Sequence, residues 1–193
     1  MSISSAEKIM LAARQILDAD GFAGLTVAAV CARAGVSNGS FFHAFASKDA
    51  LAAHLWIDCL SSYHNAMIAA VAGNPAPEEG LRALVLAHLK WVEANRPAAL
   101  LMFRHVQAEW RELVRDRQGA ENQRFGAALS AWRDPWVAAG RLHELSGELF
   151  AAFLIGPAQL VCRGWLDGRA TRKPSASARQ LADGAVRSIL RAG

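Results

Sequence analysis

The sequence predicts an all-α chain: a three-helix N-terminal unit followed by a helical bundle, about nine helices in all. Three observations carry this. Val, Ile, Thr and Tyr are sparse, and no run alternates with period two, so no strand signal exists. Ala, Leu, Arg and Glu, all helix-tolerant, dominate. Apolar residues recur at helical spacing between residues that cap or stop helices.

The first helix is expected from about Ser5 to Asp20. Ser4 and Glu7 form a capping-box pattern, and Gly21 suits a left-handed stop. Its inward residues are Ile9, Ala13, Ile16 and Leu17. The second runs from Val27 to Ala34, with Thr26 as N-cap and Gly35 as the stop. The third covers Asn38 to Ala44 behind Ser37, and the fourth runs from behind Ser47 to about Val71. Gly73-Asn74-Pro75 breaks the chain there. A fifth helix spans about Glu78 to Glu93, and a sixth starts at Pro97 and ends near Val106. A long seventh is expected from Glu109 to Trp132, interrupted near Gly119 and ended or kinked by Pro135. The eighth runs from Ser146 to Leu166 with a bend at Gly156-Pro157, and the ninth from Ser177 to Arg191.

Composition bounds the function. At 193 residues, 53% hydrophobic and 20% charged, the chain is no disordered segment, and it buries roughly 70% of its unfolded surface without disulfide or metal. The longest apolar stretch, Leu149 to Cys162, is short for a membrane span, and MSISSAEK lacks the order of a signal peptide, so no membrane partner is expected. Cys31, Cys59 and Cys162 are odd in number and far apart, which suits a reducing cytoplasm. The net charge of +4 lies wholly after residue 49: residues 1–49 hold four basic and four acidic groups, residues 50–193 hold 17 and 13. No Ser-His-Asp elbow, phosphate-cradling loop or zinc signature occurs, so neither catalysis nor a cofactor is expected. His54/Asp58 and His105/Glu109 are i,i+4 pairs without a third ligand and read as surface pairing.

Residues 26–45, TVAAVCARAGVSNGSFFHAF, read as helix, tight turn and helix. Gly35 sits where the turn needs positive φ. Val30, Ala34, Val36, Phe41 and Phe45 can form a small core with Ile16 and Leu17. A helix-turn-helix unit built this way lays its second helix in the DNA major groove. The outward positions there are Ser37, Asn38, Gly39, Ser40, Phe42 and His43. Asn reads adenine edges and Ser is a versatile partner. Gly39 costs a helix about 0.8–1.0 kcal/mol relative to Ala, which close backbone approach to a partner would justify. Lys48, at the start of the fourth helix, suits a phosphate. On spacing alone, the pair of helices reads equally well as an amphipathic hairpin with no DNA role.

Gly35-Val36-Ser37-Asn38-Gly39-Ser40-Phe41-Phe42-His43-Ala44-Phe45-Ala46-Ser47-Lys48-Asp49-Ala50-Leu51 resembles the DNA-binding signature of the tetracycline-repressor (TetR/AcrR) family of transcriptional regulators. The resemblance implies a helix-turn-helix DNA-binding domain over residues 1–47 and a helical ligand-binding and dimerisation domain over 48–193. Carried over position by position, it implies DNA contacts from Thr26, Asn38, Gly39, Ser40, Phe42, His43 and Lys48. Phe42 replaces the family's usual Tyr, and Val27 and Ala28 offer only packing where relatives place polar contacts, so phosphate contacts are expected to be sparse.

In the second part, one face of the fourth helix carries Trp56, Cys59, Tyr63 and Met67. The fifth adds His88 and Trp91, and the sixth Met102 and Phe103. Each reads first as core. Together, large aromatics with polar tips can also line a mostly apolar cavity. The resemblance places a pocket for a small apolar or aromatic effector among these helices. It also implies a homodimer through the last two helices, using Phe150, Phe153, Pro157 and Leu160 and the stripe Leu181, Ala182, Ala185, Val186 and Ile189. The expected function is a cytoplasmic regulator, a repressor that a small molecule releases from a palindromic operator. The other reading is a small all-helical ligand carrier or enzyme whose hairpin only resembles a DNA reader.

Overall fold

The structure, a computed structural model, describes residues 3–191. Among the described residues ten α-helices alternate with one π-helical and two 3-10 turns, and no strand forms; a lone antiparallel bridge joins Leu142 and Leu190. The chain packs as two compact units. One takes the residues up to Leu60 together with Pro97–Gly119; the other takes Ser61–Arg96 and everything from Ala120 onward. The sequence-based division after residue 47 follows the end of the motif, whereas packing draws the line inside a helix.

The first unit opens with α1 (Ser5–Asp20). The capping box forms: Ser4 Oγ accepts from the Glu7 N–H, and the Glu7 carboxylate accepts from the Ser4 N–H at 2.8 Å. Those bonds favour the ionised carboxyl and hold Glu7 below its ordinary value. Ile9, Ala12, Ala13, Ile16 and Leu17 are buried, and Gly21 at φ 69° ends the helix. A 3-10 turn (Phe22–Gly24) leads to α2 (Val27–Ala34) and α3 (Asn38–Ala44), which close a core of Leu25, Val30 and Phe41 against α1. The long α4 (Lys48–Val71) begins behind Ser47, whose Oγ accepts from the Ala50 N–H at 3.0 Å. The unit is completed by the end of α6 (Arg96–Leu100), a π-helical turn (Leu101–His105), α7 (Ala108–Leu113) and the start of α8 (Arg115–Ala138).

In the second unit α5 (Pro77–Ala94) is the centre, packed against α9 (Gly147–Leu166) and α10 (Ala178–Ile189). Arg82 on α5 clamps Asp183 on α10 at 2.6 Å, and Glu93 accepts from both the N–H and the hydroxyl of Ser175. Gly80 is glycine for a steric reason: a Cβ there would come within 2.1 Å of the Trp132 ring.

Several expectations need correction. The predicted long seventh helix is two helices, and the break falls at Val114, which turns inward and is buried, rather than at Gly119. Pro135 lies inside α8, and Pro157 inside α9. Each proline frees one carbonyl four residues earlier, on Ala131 and Phe153, and both residues face water that can satisfy it. The α10 stripe assigned to a twin molecule is spent at home: Ala182, Ala185, Val186 and Ile189 are buried in their own unit. On α9, Phe150 is also buried, but Leu149, Phe153 and Leu160 are exposed. This helix is long and apolar enough to cross a membrane by length and composition.

Candidate nucleic-acid interface and ligand cavity

The first unit builds its outward face from caps. Thr26 Oγ1 accepts from the Ala29 N–H at 3.2 Å and starts α2. Gly35, at φ 64° and ψ 40°, is left-handed and turns the chain into α3. Ser37 Oγ accepts from the Ser40 N–H at 3.1 Å and lies 3.0 Å from Ser40 Oγ. Phe41 points inward with no exposure and contacts Phe45. That burial fixes the rotation of α3, so Ser37, Asn38, Gly39, Phe42 and His43 face out and Ser40 is half-buried. Phe42 is 54% exposed, a large apolar ring in solvent. A Cβ on Gly39 would make only an ordinary contact, 3.7 Å from Ser37 Oγ, so nothing inside the unit demands glycine there.

The eight residues with expected DNA roles all belong to the first unit and are exposed or half-buried, but their polar atoms are not equally free. Thr26 and Ser37 serve as caps; the Thr26 hydroxyl hydrogen remains available as a donor, while the Ser37 and Ser40 hydroxyls share one hydrogen bond. Lys48 is half-buried, its ammonium over the Phe22 ring. Phe22 in turn stacks on His105 at 5.1 Å and meets Trp110 edge-on at 5.4 Å, while Trp110 donates its indole N–H to Asp49 at 3.2 Å. Sequence reasoning missed this aromatic seat, because residues 22, 105 and 110 are joined only by the fold. Arg14 is engaged by Asp58, which also accepts from Arg117 at 3.2 Å. His54 bonds the Ala50 carbonyl and does not pair with Asp58. No cluster of three metal-ligating side chains exists among the described residues.

The eight residues with expected ligand roles divide between the units. Trp56, Cys59, Met102 and Phe103 belong to the first, where Trp56, Cys59 and Met102 are buried. Burial pushes the Cys59 thiol up to about 12, so it is no ready nucleophile. Tyr63, Met67, His88 and Trp91 belong to the second. There, Tyr63 and Met67 line a cavity of about 480 Å³. Phe125, Leu129, Ser130 and Arg133 of α8 form another wall, and Phe150, Ala151, Leu154 and Ile155 of α9 a third. His88 and Trp91 stand behind Tyr63. The Tyr63 hydroxyl shares a 3.0 Å hydrogen bond with His88 Nδ1, and Trp91 packs edge-on at 5.2 Å while donating its indole N–H to Ser62. Burial lowers His88 to about 4, so the ring is neutral near pH 7. Its Nε2 is buried, and the Gln159 side chain pulls the ring's value upward against that burial. His64 stacks on Phe125 at 4.0 Å and bonds Glu121 at 2.8 Å. Burial holds His64 below its ordinary value and outweighs the upward pull of Glu121, so a neutral ring donates to the carboxylate.

Residues 9–55 match the family model of bacterial regulatory proteins, tetR family. The chain is similar in fold to a tetR family transcription regulator from Marinobacter aquaeolei VT8, with TM-score 0.72, 15% identity, and 97% of this chain and 96% of that one covered. It is similar to the fatty acid degradation regulator FadR from Bacillus halodurans, with TM-score 0.73, 18% identity and 96% of each chain covered. It also resembles FadR from Bacillus subtilis in complex with stearoyl-CoA, with TM-score 0.70, 16% identity and coverage of 93% and 96%. No curated protein matches the sequence. Regulators of this family bind DNA and small-molecule effectors and act as dimers. With the signature on its capped, outward-facing α3, the chain matches bacterial regulatory proteins of the tetR family over residues 9–55 and shares the fold of tetR family transcription regulators along its length.

Proposed function

We propose that the chain is a cytoplasmic homodimeric repressor that leaves a palindromic operator when a small apolar or aromatic molecule occupies its second unit. The observation that carries this is the rotation of α3: Phe41 is fully buried while Asn38, Gly39, Phe42 and His43 face solvent. In this reading Asn38 and Ser40 meet base edges, and Thr26, Ser37, His43 and Lys48 bind or approach phosphates. Gly39 lets the backbone come close, and Phe42 packs against sugar. One seven-residue helix contacts few bases; two heads about 34–36 Å apart read a palindrome.

The dimer forms through the last two helices, with α9 as its apolar half. Leu149, Phe153, Gly156 and Leu160 recur at helical spacing on an exposed face, and an apolar stripe of this kind marks an association surface. Tyr63 and Met67 line the cavity on α4, the helix that starts at Lys48, so an effector in that cavity touches the same element that begins in the head. An effector preferring one head spacing weakens operator binding, and operator weakens effector binding by the same factor.

The test is an electrophoretic shift of the DNA upstream of the protein's own gene at low salt, with wild type and Asn38→Ala. Retarded palindromic DNA, lost or relaxed in the variant, supports the reading. Absence of any sequence-specific shift, with folded dimer present, overturns it.

A further inference from the structure

Among the residues that line the cavity of the second unit, one is charged: Arg133. Its side chain is 21% exposed and its guanidinium carbon lies 5.4 Å from the centre of the Phe150 ring on the α9 wall. Its own carboxylate partner is the adjacent Asp134, which is 58% exposed and does not line the cavity. Arg133 Nε and Nη2 both reach the same oxygen, Asp134 Oδ1, at 2.9 Å. A carboxylate so exposed is strongly hydrated and cancels little of the charge that the cation presents inward. No acidic residue lines the cavity. The remaining wall is made chiefly by Met67, Phe125, Leu129, Leu154 and Ile155.

An apolar wall with one cation selects a ligand of matching pattern: an apolar body carrying one anionic group. The guanidinium fork favours a planar carboxylate, which it can bind through two parallel N–H donors, over an alcohol or amine. A volume of about 480 Å³ suits one small organic molecule.

We propose that this cavity takes an apolar monocarboxylate, an aryl or medium-chain acyl acid, with its carboxylate on Arg133 and its body among α4, α8 and α9. The proposal rests on the reading that the second unit holds the effector, and it adds the effector's charge. Binding turns the Arg133 donors from Asp134 towards the ligand. A cationic amphiphile of the same length is repelled.

The experiment is calorimetric titration of the full-length protein with octanoate, octanol and octylamine, repeated on Arg133→Gln and on Ala151→Trp, which fills the cavity. Octanoate is expected to bind wild type about tenfold or more tighter than octanol, with octylamine weakest. Arg133→Gln should erase that preference, bringing octanoate down to the affinity of octanol, and Ala151→Trp should weaken both. The three-ligand comparison on wild type stands even if a variant fails to fold. Equal binding of octanoate and octanol overturns the carboxylate assignment but leaves the pocket standing if Ala151→Trp abolishes it. Binding of none of the three overturns the assignment and counts against the pocket as well.

Discussion

The Lys48 ammonium lies 5.2 Å from the centre of the Phe22 ring, so the residue expected to reach a phosphate is already seated on an aromatic face. The next residue, Asp49, is held through the indole of Trp110. The first two residues of α4 are thereby fixed by side chains from elsewhere in the same unit. Removing the charge and removing its seat should have different signatures. Lys48→Ala removes one phosphate contact per head and should flatten the log–log salt dependence of operator binding by about 2 for a dimer, since each contact contributes a slope of about −0.9. Phe22→Leu should keep the slope and lower affinity about two- to fivefold per head, the worth of an exposed cation–π contact of about 0.5–1 kcal/mol. Fluorescence anisotropy over a salt series separates the two. An unchanged slope for Lys48→Ala would remove that residue from the interface.

Gly39 sits in a helix that has room for a methyl group. Gly39→Ala should therefore stabilise the head, by about 0.5–1 kcal/mol, while weakening operator binding. Thermal melting and anisotropy measured on the same preparation test both halves. A variant that is more stable and binds DNA as well as wild type would show that no backbone approach occurs there.

Asn38 lies in the exposed first turn of α3, the turn that the proposed function sends into the groove first. Asn38→Ala should cost about 1–3 kcal/mol on the cognate operator and little on operators altered at one symmetric pair of positions. A panel of single-base operator variants would identify that pair. A uniform loss across the panel would mean that Asn38 holds the backbone instead.

Gly80 and Trp132 are in van der Waals conflict with any larger residue at position 80. Gly80→Ala should destabilise the second unit by about 1–3 kcal/mol, as overpacking does, and dislodge the Trp132 indole from the Pro75 carbonyl, to which it donates at 3.0 Å. Trp132→Leu in the same chain should recover part of the loss. Urea unfolding gives the coupling energy, and simple addition of the two effects would refute the clash.

His88 makes stability depend on pH in a calculable direction. Burial lowers its folded-state value to about 4, below its ordinary 6.5. Above pH 6.5 neither state binds the proton, so His88 contributes nothing to the pH dependence. As the pH falls through 6.5 the unfolded chain takes up a proton that the folded chain refuses, and stability declines until about pH 4. Between pH 7 and pH 5 the loss from this group is about 2 kcal/mol. His64, also lowered by burial, adds in the same direction. Urea titrations of wild type and His88→Gln at the two pH values should show a smaller loss in the variant; equal losses would contradict a neutral His88.

The helices from α1 to α4 were legible because local chemistry marks their ends. Ser4 with Glu7, Thr26, Ser37 and Ser47 start them, and Gly21 and Gly35 stop two of them, each acting within four residues. The outward face of α3 followed from the spacing of Phe41 and Phe45. Later elements depend on tertiary packing. Val114 breaks the chain by turning inward, a choice its neighbours in sequence do not dictate, and Pro135 is tolerated only because its turn faces water. The cavity was half legible. Tyr63 and Met67 stood out on α4, but Arg133 sits among polar α8 residues, and Phe150 read as a dimer position. Only the fold brings them opposite Tyr63.

Phe22 and Trp110 touch although 88 residues separate them in the chain. The reader of DNA is therefore not a detachable N-terminal cassette. Transplanting residues 1–47 onto a sister regulator would leave Phe22 facing foreign residues where Lys48, His105 and Trp110 now meet it. A chimera meant to exchange operator preference should carry the 97–119 stretch with it, or confine its changes to the solvent side of α3.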